Sequence, residues 1–347
     1  MAELVAFGPS LVDVAARLTQ EQFDSCARLL GATAGEWRRI HDYRTVRQLI
    51  RELTGHPISD RADLPTLLAR RGLAVAAGSS TLGMLSAMPA EVRRASTYVS
   101  SVARNEGVFD PFSLFFIAAV KAAEVQHRYG VAEGGNPIGF VLSSNTDPEK
   151  MLAMYPGVAE RFGGMDLTGL SPQLVLLDAY ELLGGELSDF LHRCVSRSVA
   201  PVALSLGNSH ILHGKLQRQV RRYVAQRRLT VLCGNAEEYG ALFPEVDPAL
   251  CTPAGFRHHP IRQVVPFALM TFGDRGMACH WDGRYAVAEA VPIEPSEIVN
   301  TSGAGDTAAG VFCAGILLGH PPQQTLETAA ELSTDVLRVH SSRILAA

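Results

Sequence analysis

The sequence predicts an α/β fold built on a mostly parallel sheet, and two observations carry that prediction. In the second half of the chain the apolar runs QLVLLDAYELL, PVALSLG, LTVLCGN and VVPFALMTFG alternate with helix-periodic stretches such as HGKLQRQVRRYVAQ. Alternation of this kind is the mark of βαβ units and a parallel sheet. The second observation is composition: 47% hydrophobic and 19% charged residues over 347 positions describe a chain with a substantial core. That length suits one large α/β domain with a smaller attachment.

The elements follow in chain order. The opening LVAFG reads as a buried strand ending near Gly8, with Pro9, Ser10 and Asp13 in the turn beyond it. Residues 20 to 53 have a helical pattern of mixed charge, and GLAVAAGSS, from Gly72 to Ser80, returns to a strand that enters a loop of small residues, with a helix starting around Thr81. Residues 109 to 129 predict an amphipathic helix, with Asp110 as N-cap, Pro111 at the first helical position and Gly130 as the stop; its Phe112, Phe115 and Phe116 read as core. IGFVLSSNTDPEKMLAMY predicts two strands around the turn SNTDPE. Two helices close the chain, from about Asp306 to Leu318 and Gln323 to Val339.

Charge and cysteine usage exclude several classes. The formal net charge is -4, and the densest basic run, Arg221 to Arg228, has the spacing of a solvated helix face, so no nucleic-acid partner is expected. The six cysteines are dispersed without a C-x-x-C pair, which points to reduced thiols. The start MAELVAFGPS lacks a signal-peptide pattern, and no apolar stretch reaches the ~18–20 residues of a membrane helix, so a cytoplasmic protein without a membrane partner is expected. Oligomeric state has no sequence marker.

The sharpest chemical signal is NTSGAGDTAAGVFCAGILLG, from Asn300 to Gly319. Gly303, Ala304 and Gly305 let backbone N–H groups converge on an anion, and the helix that starts there adds its positive end. Asp306 at the mouth of that helix faces the same point, so a base and an anion hole coincide. On these residues alone the stretch reads equally as a tight turn with Asp306 as helix cap. His258 and His259 lie in a Pro-rich loop without a ligand-spaced partner, and Ser205 and Ser209 lack a nucleophile-elbow sequence.

This GAGD stretch resembles the signature of the ribokinase, or PfkB carbohydrate kinase, family, which includes adenosine kinases. GNAEEYGALF, from Gly234 to Phe243, resembles the family's N-x-x-E element, with Asn235 and Glu238 matching it; without the resemblance it reads as an ordinary turn and helix start. TFGDRG, from Thr271 to Gly276, resembles the family's T-x-G-x-x-G turn, and by itself reads as a hairpin turn. The opening VAFGPSLVDVAARL resembles the family's first strand and turn, and NPIGFVLSSNTDPEKMLAMYPGVAERF its lid strands, so the likeness spans nearly the whole chain.

The resemblance implies a ribokinase-like three-layer α/β/α sandwich over residues 1–347, with a small β lid drawn roughly from 15–50 and 95–160. It implies an ATP-dependent kinase for a hydroxyl of a nucleoside or sugar-like molecule, adenosine-like by the look of the opening and of the lid. Asp306 is implied as general base, and Gly303, Ala304 and Gly305 as the phosphate cradle. Asn235, Glu238, Thr271, Gly273 and Gly276 are implied on the nucleotide side, with Glu238 holding Mg²⁺ through water. Asp13, Gly78 and Ser79 are implied on the acceptor side. The sequence departs from the family at the G-G-x-x-x-N element, where Ala77 replaces the first glycine and Leu82 falls near the Asn position. Pro9 stands where adenosine kinases carry Asn, and Asn300 where many relatives carry Asp. Those departures leave a second reading, a nucleotide or metabolite sensor that retains the fold without catalysis.

Overall fold

The opening run forms β1 (Leu4–Phe7), and β2 (Val12–Leu18) follows with buried and half-exposed residues in strict alternation, as a strand covered on one face requires. The computed structural model describes residues 3–33, 36–55, 64–145, 150–161, 167–197, 200–299 and 301–339. Next come α1 (Gln20–Leu30), β3 (Trp37–Arg39), α2 (Tyr43–Thr54), α3 (Leu64–Arg70), β4 (Ala74–Ala77), α4 (Ser80–Ser86) and α5 (Ala90–Arg94). The middle of the chain supplies β5 (Ser96–Asn105), β6 (Val108–Phe109), α6 (Pro111–Ala122), β7 (Gln126–Glu133), β8 (Ile138–Ser144) and β9 (Lys150–Tyr155). The remainder is β10 (Leu174–Asp178), α7 (Gly185–Arg197), β11 (Val202–Ser205), α8 (Gly214–Ala225), β12 (Val231–Asn235), α9 (Ala236–Leu242), β13 (Phe267–Thr271), β14 (Met277–Trp281), β15 (Arg284–Ala288), α10 (Ala304–Leu318) and α11 (Pro322–Leu337).

Among the described residues ten strands form one sheet, ordered β15, β14, β13, β12, β11, β10, β1, β5, with β6 and β7 both pairing with β5. Every pairing from β13 across to β5, and on to β7, is parallel; β14 and β15 extend the opposite edge antiparallel. The N-terminal strand is therefore central, with Val5 opposite Val175 on one side and Thr97 on the other. Its side chains divide the molecule into layers. Leu4 and Ala6 enter a core shared with α4, α10, α11 and the small sheet, whereas Val5 and Phe7 enter one shared with α7, α8 and α9. The result is the three-layer α/β/α sandwich, with the strands β1, β10, β11, β12 and β13 of the large sheet covered on both faces.

Five strands form the second sheet, in the order β3, β9, β8, β2, β4. β2 is parallel to β8 and antiparallel to β4, and β8 and β9 run antiparallel. The hairpin expected around SNTDPE is present as this β8/β9 pair, although its turn lies outside the described residues, as does Asn300.

Three expectations need correction. The helix drawn from 109 to 129 starts as expected, with Asp110 accepting from Phe112 N–H, but ends at Ala122. Glu124 takes φ +60°, and Gln126–Glu133 becomes β7 because eight of its residues pair with β5, a gain from tertiary pairing that overrides the local pattern. The helical stretch drawn from 20 to 53 is two helices: Gly31, at φ +59°, stops α1, and β3 intervenes to pair with β9. The lid segments drawn at 15–50 and 95–160 also differ from sheet membership. β5, buried from Ser96 to Ala103, and β7 belong to the large sheet, while β4, outside both segments, joins the small one.

Candidate functional site

The site lies at the carboxyl ends of the parallel strands and is organised by α10. The sequence AGDTAAGVFCAGILL has no charged residue after Asp306, and Thr307 to Gly315 are all buried, as expected of a helix enclosed between a sheet and other helices. Gly303 is its N-cap at φ +90°, a left-handed conformation that favours glycine. Ala304, Gly305 and Asp306 fill the first turn, where backbone N–H groups have no partner within the helix and point outward.

Small residues let α4 lie directly on α10. A Cβ on Gly310 would lie 2.1 Å from the Met84 carbonyl oxygen, and one on Gly83 would sit 3.4 Å from the Asp306 carboxyl. Asp306 is thus held by packing from one side, and the nearby Ser80 hydroxyl favours its ionised carboxyl.

Beside Asp306 is a cavity of about 60 Å³ lined by Ser205, Gly207, Cys233, Gly234, Asn235, Glu238, Leu269, Thr271, Gly305, Asp306 and Ala309. At ~30 Å³ for a water in the liquid, this space suits one small hydrated or phosphate-sized group. Asn235 caps α9, and the pair Asn235 and Glu238 forms a capping box. The Asn235 side chain accepts from Glu238 N–H at 2.9 Å, and Glu238 Oε2 accepts from Asn235 N–H at 2.9 Å. Glu238 Oε1 also accepts from Asn235 Nδ2 at 3.0 Å.

Burial sets the electrostatics. Asp306, half-buried as a residue but with its carboxyl surrounded by protein, is pushed up to about 7, first by desolvation and then by the charge of Glu238, with the Ser80 hydrogen bond opposing. Desolvation also raises Glu238, partly offset by the Asn235 amide. Asp178 at the end of β10 is pushed up to about 8 by burial, and Glu181 is raised well above the carboxylate range by burial and by Asp178. A base that titrates near neutrality beside outward-pointing amides can take a proton while the amides hold an oxyanion.

Of the residues expected on the acceptor side, Gly78 and Ser79 form the short loop that leads into α4. Asp13 lies on β2 opposite Gly139 of β8, where a Cβ would come within 2.4 Å of its Oδ1, so the glycine makes room for the carboxylate. Gly78 N–H donates to Leu11 O at 2.6 Å, tying the loop to the start of β2, and Ser80 two residues on reaches Asp306. Ser79 between them takes φ +84°, a strained value for a residue with a Cβ. Its Oγ accepts from Tyr98 Oη and contacts Thr81 Oγ1, each at 2.9 Å, packed over Gly8. Ala77 and Leu82, at the departures from the family element, are 1% exposed and belong to the core.

Of the residues expected on the nucleotide side, Asn235, Glu238 and Thr271 line the cavity with Gly305 and Asp306, whereas Gly273 and Gly276 shape the β13/β14 turn. Gly276, at φ +83°, presses on the Ala288 carbonyl, where a Cβ would lie at 2.1 Å. Sequence reasoning missed Ser80, Asp178, Ser205 and Gly207. The last three sit at or just past the carboxyl ends of β10 and β11, where open α/β sheets place their ligands.

The chain has measurable relatives. Its residues 109–346 match the model of the pfkB family carbohydrate kinases. A 70-residue stretch is 36% identical to a cytidine kinase of Thermococcus kodakarensis, a match covering 20% of this chain and 25% of that protein. The adenosine kinase of Sinorhizobium meliloti superposes with a TM-score of 0.74 at 16% identity, over 99% of this chain and 97% of that one. The adenosine kinase of Schistosoma mansoni in complex with 2-fluoroadenosine gives 0.73 at 13% identity, over 98% and 96%. The family match covers more than half of the sequence and includes the glycine turn, the capping box and Asp306, so the chain belongs to the pfkB family of carbohydrate kinases.

Proposed function

We propose that this protein is an ATP-dependent kinase that phosphorylates a hydroxyl of a nucleoside or sugar-like molecule, adenosine-like in the first instance. The observation that supports it most is the placement of Asp306 in the first turn of α10, sharing a cavity with the Gly305 backbone, Asn235, Glu238 and Thr271. Ionised Asp306 removes the hydroxyl proton as the acceptor oxygen bonds to phosphorus, and the bonding pair leaves with ADP. The N–H groups of the first turn hold the phosphoryl oxygens, so most of the catalytic work is positioning and charge stabilisation.

Mg²⁺ would serve to neutralise the nucleotide phosphates. Among the described residues no three His, Cys, Asp or Glu side chains form a cage for an ion, so a cation fits here only through water and phosphate oxygens. Glu238 suits that part: each of its oxygens accepts one bond from Asn235 and keeps a lone pair. Glu238→Gln can replace only one of those acceptors. It is expected to cost ~0.5–2 kcal/mol of stability through the damaged cap and to raise the Mg²⁺ concentration giving half-maximal rate. A thermal melt and a metal titration check both, and an unchanged titration would leave Glu238 as a capping residue only.

The nucleoside preference is supported by Ala77 and Leu82, which supply no side-chain hydrogen bond to a free sugar. The relatives' names, adenosine and cytidine kinase, support it too. Initial rates of ADP release across adenosine, cytidine, guanosine, inosine, ribose and fructose test it; preference for ribose refutes it. Asp13→Ala should raise KM and lower kcat together, because a misplaced hydroxyl loses both binding and attack geometry. ATP binding without turnover of any acceptor would favour the sensor reading.

A further inference from the structure

Asp178 ends β10 at the carboxyl edge of the sheet and is 1% exposed. Its Oδ1 accepts from Tyr180 N–H at 2.8 Å, while Oδ2 has no hydrogen-bond partner of good geometry. A buried carboxylate oxygen without a donor is costly, and holding a proton removes the charge but leaves an O–H in need of an acceptor. The groups that face it are acidic or neutral. Glu181 accepts from the Asp178 N–H at 2.7 Å, and Tyr180 lies on the same turn. The hydroxyl of Ser205, its register partner on β11, favours the ionised carboxyl and opposes the rise, and Glu238 and Asp306 act on it from α9 and α10. Burial, reinforced by the charges of Asp306 and Glu238, pushes Asp178 up to about 8, so it is largely protonated at neutral pH.

The carboxyl also abuts the wall of the cavity. A Cβ on Gly207 would lie 2.8 Å from Asp178 Oδ1 and 3.0 Å from Oδ2, and Gly207 takes φ +71°. Gly207 and Ser205 both line the space shared with Asp306 and Gly305. An acid kept neutral by its surroundings can donate a hydrogen bond to an oxyanion, and the same group ionised repels one.

We propose that Asp178 is a further determinant of anion binding at this site, a neutral carboxylic acid that acts through the hydroxyl of its register partner Ser205, which lines the cavity, on a phosphoryl-type oxyanion there. The kinase reading supplies only which anion this is, the terminal phosphoryl group of the nucleotide. Among the neighbouring groups, the Cys313 hydrogen bond and burial raise Cys233 well above the usual thiol range and burial raises Tyr180 to about 12, so both stay neutral, and Asp306 is already mostly ionised at pH 7.5. Glu181 is also raised well above the carboxylate range, so the comparison of wild type with the Asp178 variants is what assigns a change to Asp178.

The test is calorimetric titration with sulfate, whose charge is constant over the range, and separately with ATP, at pH 7.5 and 9.5. Wild type, Asp178→Asn and Asp178→Ala are compared after thermal melts. Losing a hydrogen bond to a charged group corresponds to ~10-fold or more in affinity. Wild type should weaken by about that factor at pH 9.5, the Asn variant should hold within about twofold because its amide still donates, and the Ala variant should already be weak at pH 7.5. An equal pH loss in the Asn variant, sulfate binding by a folded Ala variant as tight as wild type, or no anion binding by wild type overturns the proposal. If the Ala variant does not fold, the isosteric Asn variant decides alone. Failure of every acceptor to turn over would remove the kinase reading while leaving the sulfate result to judge Asp178.

Discussion

Asp306→Asn is expected to lower kcat by ~10²–10⁴, the usual contribution of a positioned general base, while ATP affinity stays within a few-fold. Asn keeps the shape against Gly83 and can still meet the Ser80 hydroxyl, so the helix and its amides stay in place. What is lost is the oxygen that takes the proton. The same group sets a pH dependence in wild type. Burial raises the Asp306 carboxyl to about 7, and only the ionised form acts as base, so kcat/KM should fall as pH drops through that value and level off above it. The residual rate of the Asn variant should lose this acid limb. Full activity in Asp306→Asn, or an acid limb unchanged in it, would remove Asp306 from the role of base.

The other large effect is expected from Gly310→Ala. A Cβ there would lie 2.1 Å from Met84 O and 2.8 Å from Met84 C, both backbone atoms, so α10 and α4 must move apart. Overpacking of this kind costs ~1–3 kcal/mol. Gly310 is one turn beyond Asp306 on the same face of α10, so the displacement carries the base with it, and ~1 Å of misplacement costs ~10²-fold in rate. Gly240→Ala is the control: Gly240 is an exposed helical glycine with open space around it, where Ala should stabilise by ~0.5–1 kcal/mol. Paired melts and kcat values check both. Wild-type stability in Gly310→Ala would mean the helices can separate at no cost.

The second half of the fold was legible because its strands are buried on both faces. β10, β11, β12 and β13 appear as continuous apolar runs, and α10 as a run of small residues behind a glycine turn. β7 was not legible: Gln126–Glu133 has the polarity of a helix surface and becomes a strand only because β5 offers a pairing edge. β3 is three residues long, too short for any periodicity. In the site, Asp306, Asn235 and Glu238 could be named because the segments that resemble the family's glycine turn and N-x-x-E element are each local in sequence. Asp178 and Ser205 could not, because they become neighbours through the register of β10 with β11, and Ser80 meets Asp306 only when α4 docks on α10.

The central place of β1 bears on how the molecule can be assembled or divided. Its four residues pair with β5, which begins at Ser96, and three of them with β10, which begins at Leu174, and Asp306 on α10 is met by residues 80 and 83. No contiguous half of the chain therefore contains both a closed run of sheet around β1 and the complete acid–amide pocket. A fragment that stops before residue 304 leaves α4 and one face of the sheet without the helix that covers them, and the carboxyl of Asp178 without the Asp306 charge that helps to raise it. Contacts of such long sequence separation are slow to form, and here α10 both covers the core and carries Asp306, so the pocket around Asp306 and the packing of that core form together.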